Sequence, residues 1–254
     1  RSPGHSRCAC VARTDVWKAD GVPARHRAAA VLTAGALTAL SLTACSGSDG
    51  GSGGSPEDVL AAAQQNLDET SGVHLTLHTD DLPDGVTGVE DAEGVGTHAP
   101  AFEGTITITL SGQAFQVPVV AVDDKVYVQL PLTPGWQDID PAEYGAPDPA
   151  HLFDPDSGFS SLLGETTDLE EGDTVRGGED NKEVLTEYTG KVAGDVVQNF
   201  IPTASGDFDA TYTVTDDDEL REAELTGVFY EDSPSMTYTV TFDEYGTEKD
   251  ISAP

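Results

Sequence analysis

The chain has 254 residues, of which 12 are Lys or Arg and 46 are Asp or Glu, so its formal net charge is −34. This length is typical of one domain with a leader, and the 37% hydrophobic content is enough for a packed core. The charge excludes a nucleic-acid binder, because so acidic a surface repels phosphates. Any attachment to anionic membranes would need a covalent or apolar anchor.

The first predicted element is a secretory leader. Arg25 and Arg27 precede an apolar run over 28–42, which is shorter than the about 20 residues of a transmembrane helix and typical of a signal peptide. The run ends in Leu42-Thr-Ala-Cys45. This tetrapeptide resembles a bacterial lipobox, in which the cysteine thiol takes a diacylglyceryl group and becomes the N-terminus after cleavage. The alternative is an ordinary signal peptide with a buried cysteine, but Cys45 lies where cleavage is expected, which favours lipidation.

The leader divides the chain into three predicted segments. Residues 1–44 are the signal peptide, residues 45–56 are the lipidated Cys45 with a flexible Ser/Gly linker, and residues 57–254 are the folded domain. Since the chain does not begin with Met, we expect residues 1 to about 21 to precede the true translation start. The predicted location is the outer face of the cell membrane, anchored through Cys45, since two acyl chains suffice for stable anchoring.

An amphipathic helix is predicted to open the domain. Ser55 suits the N-cap, Pro56 suits the first helical position and Asp58 suits the third. An apolar face at helical spacing follows, formed by Val59, Leu60, Ala63 and Leu67. Ser71 and Gly72 predict its end.

From Val73 the apolar period changes to two, which predicts strands. Leu75 is on the apolar side of the first. Two candidate turns, at 111–112 and 123–124, then predict a three-stranded meander. Both registers put the same apolar set on one face, and a one-residue slip would destroy this agreement. The set is Ile106, Ile108, Phe115, Val117, Val119, Val126 and Val128.

The second half of the chain is less regular. Five prolines over 131–175 predict short pieces, with Phe159, Leu162 and Leu163 at helical spacing. A strand near 184–189 and a short helix over 194–200, which includes Val197 and Phe200, precede three further strands. The predicted class is α+β: a curved antiparallel sheet, or half-barrel, with helices packed on one face.

No catalytic, metal or cofactor site is predicted. His74 and His78 would lie about 13 Å apart along a strand, too far to share an ion. The acidic run 216–219 admits a calcium site, but it lacks EF-hand spacing and is more typical of a hairpin turn. The common nucleophile, zinc-protease and nucleotide motifs do not occur. The general acidity suggests, as a hypothesis, a surface solvated in high salt.

Several segments resemble the LppX/LprAFG family of actinobacterial lipoproteins. They are the lipobox cysteine, the opening helix, Asp-Asp-Lys-Val-Tyr-Val-Gln-Leu at 123–130, Trp136, and the stretches 148–158 and 242–246. The resemblance runs from about residue 57 to the end. It implies a half-barrel with a large apolar cavity between sheet and helices, and the transport of multi-acyl lipids across the cell envelope, such as glycolipids, lipoglycans or triacylglycerol. The acidity of this chain departs from the family's pattern and argues against an anionic headgroup.

The leading hypothesis is therefore a membrane-anchored lipid carrier. Its expected partners are a multi-acyl lipid, the membrane through the lipid anchor and, as a further candidate, a membrane transporter. The runner-up is a non-catalytic envelope lipoprotein with a filled core, acting as an interaction or assembly module, and an enzyme is third. A cavity of several hundred Å³ would separate the first two. Its predicted lining is Leu75, Ile106, Ile108, Phe115, Val117, Val119, Val126, Val128, Leu162, Val197 and Phe200.

Overall fold

A computed structural model describes residues 54–110, 112–144, 146–178 and 181–254. The predicted signal peptide, Cys45 and nearly all of the linker lie outside the described residues. The boundaries of the three segments therefore stay predictions.

Helix α1 spans Pro56–Glu69 and begins as its sequence predicts. The Ser55 hydroxyl accepts a hydrogen bond from the backbone N–H of Asp58, and the Asp58 carboxylate accepts one from the Ser55 N–H in return. This reciprocal capping satisfies two amide groups that the first turn leaves unpaired. The four predicted apolar residues are the buried ones: Val59, Leu60, Ala63 and Leu67.

The rest of the domain is built on one antiparallel sheet of eleven strands that curves without closing. The strands are β1 (Gly72–His78), β2 (Gly88–Thr97), β3 (Ala101–Leu110), β4 (Gln113–Val122), β5 (Lys125–Val128), β6 (Gln137–Ile139), β7 (Thr167–Gly177), β8 (Glu183–Val192), β9 (Ser205–Thr215), β10 (Leu220–Val228) and β11 (Met236–Asp243). This confirms the predicted fold class.

The strand order explains how the concave face is covered. The order is β6-β5-β4-β3-β2-β1-β11-β10-β9-β8-β7, so the chain builds outward from β1 to one edge and returns from the other edge to β11. The connection between the edge strands, residues 140–166, is here called the cover segment. It contains 3₁₀ turns at Pro141–Tyr144 and Pro149–Phe153 and the short helix α2 at Ser161–Gly164. The remaining helix, α3, is Gly194–Val197, shorter than the predicted 194–200.

The predicted meander is confirmed residue by residue. Ile106 pairs with Val117 across β3 and β4, and Val119 pairs with Val128 across β4 and β5. Val117, Val119 and Val128 are buried, whereas Gln116 on the opposite face is exposed. The acidic run 216–219 is the predicted turn, since it joins β9 to β10.

Three strands do not follow from the sequence pattern, the three-residue β6 among them. β2 has no period-two signal, and the expectation of short pieces over 131–175 is wrong for its last residues, which form much of β7. β7 is an edge strand that is mostly exposed, so it buries too few apolar side chains to produce an alternating pattern. Its pairing with β8 has two register shifts, and the other edge, β6, has only three residues. Bulges, acidic side chains and short length are the features by which edge strands avoid pairing with other chains.

Gly96→Ala is expected to destabilise the domain strongly. A Cβ at Gly96 in β2 would lie 1.8 Å from the ring of Phe153, which is buried where the cover segment packs on the sheet. Such overpacking costs about 1–3 kcal/mol or more. A matched control is Gly172→Ala in β7, where the nearest atoms would be 3.3 Å away. Urea unfolding would measure the difference, and equal midpoints for the two variants would show that Phe153 does not anchor the cover segment at this glycine.

Candidate functional site

An apolar cavity of about 230 Å³ lies inside the described domain. The strands of the sheet contribute Leu75, Leu77, Gly88, Val89, Ala92, Phe102, Ile106, Ile108, Val117, Val119, Val126, Val128, Ile139, Tyr238 and Val240. The cover segment contributes Pro141, Ala146, Pro147, Pro149, Leu152 and Phe159, and the turns and α3 region contribute Thr87, Leu130, Val197, Phe200, Ile201, Phe229 and Tyr230. No lining residue is charged. The cavity is therefore chemically suited to hydrocarbon, although its volume is below the several hundred Å³ expected of a multi-acyl lipid carrier.

Two inward-facing residues of the cavity are less buried than the packed part of the core. Ile106 and Ile108 are both on the inner face of β3 and line the cavity, yet both are only half-buried. By contrast, Val73 and Val214 are at most 1% exposed. Native cores pack with few voids larger than a water molecule, so half-buried isoleucines on an inner face indicate unfilled space. The core is thus filled around Val73 and Val214 and open around Ile106.

Most of the predicted lining residues meet at this cavity. Nine line it: Leu75, Ile106, Ile108, Val117, Val119, Val126, Val128, Val197 and Phe200. The other two are elsewhere. Phe115 is the third residue of β4, close to the hairpin turn and beyond the cavity. Leu162 of α2 is fully buried in the filled part of the core.

The polar side chains of the lining are confined to one end. They are Thr87, Tyr230 and Tyr238, and Thr87 is exposed, so the cavity reaches solvent there. The Tyr230 and Tyr238 hydroxyls are 2.8 Å apart, and the Tyr238 hydroxyl donates to the backbone carbonyl of Val89 at 2.6 Å. Burial raises the pKa of both phenols, so both hydroxyls stay protonated at neutral pH. This group of residues, with Gly88, is here called the polar end.

The segments that form the polar end contain no Lys or Arg. The charged residues that flank its segments in sequence are acidic: Asp80, Asp81, Asp84, Glu90, Glu231 and Asp232. No Lys or Arg occurs over 78–124 or 222–248. The surroundings of the polar end thus disfavour an anionic group.

Sequence reasoning missed the polar end and the contribution of the cover segment. Tyr238 alternates with apolar neighbours in β11, a pattern that predicts only that it shares a face with them. Tyr230 lies in the turn after β10, where no periodic signal exists. The prolines of the cover segment indicate only irregular backbone, not which face of the sheet they contact.

Neither a metal centre nor a spanning helix is found in the described ranges. No group of three or more His, Cys, Asp or Glu residues among them is arranged to hold a metal ion. None of the helices described is long and apolar enough to cross a membrane.

Comparisons with known proteins agree with the fold. A profile of the LppX_LprAFG lipoprotein family matches residues 55–253. A comparison with curated proteins finds no match. Among solved structures, LprF from Mycobacterium bovis is similar with a TM-score of 0.62 at 14% identity, over 78% of this chain and 96% of that one. LppX from Mycobacterium tuberculosis is similar with a TM-score of 0.56 at 17% identity, over 78% and 98%. At such identities the structural matches show the fold, whereas the profile match extends over nearly the whole described domain, and the chain therefore belongs to the LppX_LprAFG lipoprotein family.

Proposed function

We propose that this protein is a membrane-anchored lipid carrier of the cell envelope, which holds acyl chains in the apolar cavity. The observation that carries the proposal is the cavity lining, which is apolar throughout except at the polar end. Ligand sites usually combine such a wall with a few polar groups that orient the ligand. The alternative of an assembly module with a filled core has less support, because Ile106 and Ile108 face open space.

The cavity volume bears on how many acyl chains are held. A cavity needs a volume of at least about 10–15 Å³ to hold one water-sized group, and the same group occupies about 30 Å³ in a liquid. A methylene is of similar size, so 230 Å³ accommodates roughly 8 to 20 carbons, which corresponds to one acyl chain. For a multi-acyl ligand we propose that the cover segment moves outward. The moving part would be its beginning, whose regular structure is the 3₁₀ turn Pro141–Tyr144, so few regular hydrogen bonds would break, while the buried Phe153 and Leu162 keep the rest of the segment packed.

Energetics favour exchange over trapping. Burying one methylene stabilises by about 0.8 kcal/mol relative to water, so a chain of 16 carbons gains about 13 kcal/mol by that reference. A lipid in a bilayer has already gained this energy. Transfer from the bilayer into an apolar cavity is therefore nearly neutral, which allows loading and unloading. A flexible tether after Cys45 would keep the cavity near the membrane while the domain reorients. A transporter that loads or unloads the carrier stays a prediction.

Transfer of lipid between vesicles is the direct test. The purified protein is expected to speed the movement of a fluorescent diacylglycerol from donor to acceptor vesicles, in proportion to protein concentration. Native mass spectrometry of the same preparation should show a bound species of lipid mass. Heat-unfolded protein is the control, because it retains the composition and charge but not the cavity. No acceleration together with no bound lipid would contradict the proposal.

A further inference from the structure

The hydrogen bonds at the polar end determine which tyrosine oxygen can accept a further hydrogen bond. The Val89 carbonyl only accepts, so the proton of Tyr238 is used in donating to it. The bond between the two hydroxyls must then be donated by Tyr230. A phenol has one proton and two lone pairs. The Tyr230 hydroxyl therefore donates its proton to Tyr238, and its oxygen can still accept a hydrogen bond. The backbone N–H of Val89 interacts with this oxygen and takes at most one of its two lone pairs, and within the described part of the chain no side chain donates a hydrogen bond to it.

The Tyr230 hydroxyl is also held in position. A Cβ at Gly88 would lie 2.6 Å from the Tyr230 hydroxyl oxygen. The phenol therefore occupies the space that a side chain in β2 would take. Packing against Gly88 and the bond to Tyr238 together pre-organise this oxygen at the one end of the cavity that has polar groups.

From this geometry we infer that the polar end binds an uncharged lipid headgroup, whose hydroxyl donates a hydrogen bond to the Tyr230 oxygen. The inference rests on the proposed carrier function and names its ligand class: acyl lipids with a free hydroxyl near the ester linkages, such as a diacylglycerol or a neutral glycolipid. The acyl chain of the bound lipid then extends away from Tyr230, along the apolar wall that contains Ile106.

The same geometry disfavours two other lipid classes. Triacylglycerol has ester oxygens but no donor, so it gains no hydrogen bond at the Tyr230 oxygen, whereas a lipid with a free hydroxyl does. Anionic lipids meet only acidic side chains in the segments flanking the polar end and find no Lys or Arg there to neutralise them.

A matched pair of lipids tests the inference. Dioleoylglycerol and 1,2-dioleoyl-3-acetylglycerol have the same two long chains, and only the first has a free hydroxyl. In native mass spectrometry of the full-length protein with equimolar amounts of both, we expect wild type to retain about tenfold more dioleoylglycerol, the effect of one net hydrogen bond. Tyr230→Phe removes only the hydroxyl and is expected to equalise the two lipids. Tyr127→Phe, outside the cavity lining, should keep the wild-type preference.

A second variant and a third lipid make the test independent of one substitution. Gly88→Ala should displace the Tyr230 hydroxyl and also remove the preference. Dioleoyl phosphatidic acid should be retained less than dioleoylglycerol by wild type. An unchanged preference in Tyr230→Phe, or equal retention of phosphatidic acid, would overturn the inference while the carrier function stands. Retention of none of the three lipids by wild type would overturn both.

Discussion

Ile106→Trp is expected to abolish lipid retention while the melting temperature changes little. Ile106 is in the middle of β3, where it pairs with Ala92 on one side and Val117 on the other, and all three line the cavity. An indole ring at this position projects into the 230 Å³ that would receive an acyl chain. Since the ring fills space rather than displacing packed atoms, the usual overpacking cost of about 1–3 kcal/mol should be largely avoided.

A tryptophan in the filled part of the core provides the matched control. Val214 in β9 is 1% exposed and does not line the cavity. Val214→Trp should therefore lower the melting temperature by several degrees or prevent folding, as overpacking does elsewhere. The two variants would be compared by thermal melting and by mass spectrometry of extracted lipid. A large loss of stability in Ile106→Trp, with no lipid recovered from wild type, would instead support the assembly module with a filled core.

The parts of the fold that the sequence predicts are those in which local pattern and burial coincide. In α1 the cap residues and the apolar face are both local features, and each is confirmed. The meander over β3, β4 and β5 is equally well determined, because period-two burial admits one register in each hairpin.

The strand β2 is not predicted because its glycines pack against residues that are distant in the sequence. A Cβ at Gly94 would lie 2.6 Å from the ring of Phe102, and a Cβ at Gly96 would clash with Phe153. Both glycines leave room for aromatic rings contributed by other segments. Glycine disfavours strands by propensity, and nothing in the sequence around β2 indicates which rings these positions accommodate.

The cavity itself is predicted only in part, for a related reason. Alternation shows which side of a strand faces inward, and this is enough to find residues such as Ile106 and Val126. It does not show whether the inward side meets packed atoms or open space. Leu162 has the same apolar character as the lining residues but is fully buried in α2, and Phe115 lies past the end of the cavity. The distinction depends on the path of the cover segment between the two edge strands, which is not encoded in any local period.

Cys45→Ala is expected to release the protein from the membrane. The lipobox interpretation assigns the anchor to two acyl chains on Cys45, and a protein with two chains is held stably, whereas one chain gives only marginal binding. The domain after Cys45 has six basic and 44 acidic residues, so electrostatic attraction to anionic lipids cannot replace the anchor. Partitioning into a detergent phase should thus fall from nearly all of the wild-type protein to a small fraction of the variant. Cys10→Ala is the matched control, since position 10 precedes the expected cleavage point and should have no effect. If the Cys45→Ala variant partitions as wild type does, the anchor is not on Cys45, and the carrier would need another means of staying at the membrane from which it takes its lipid.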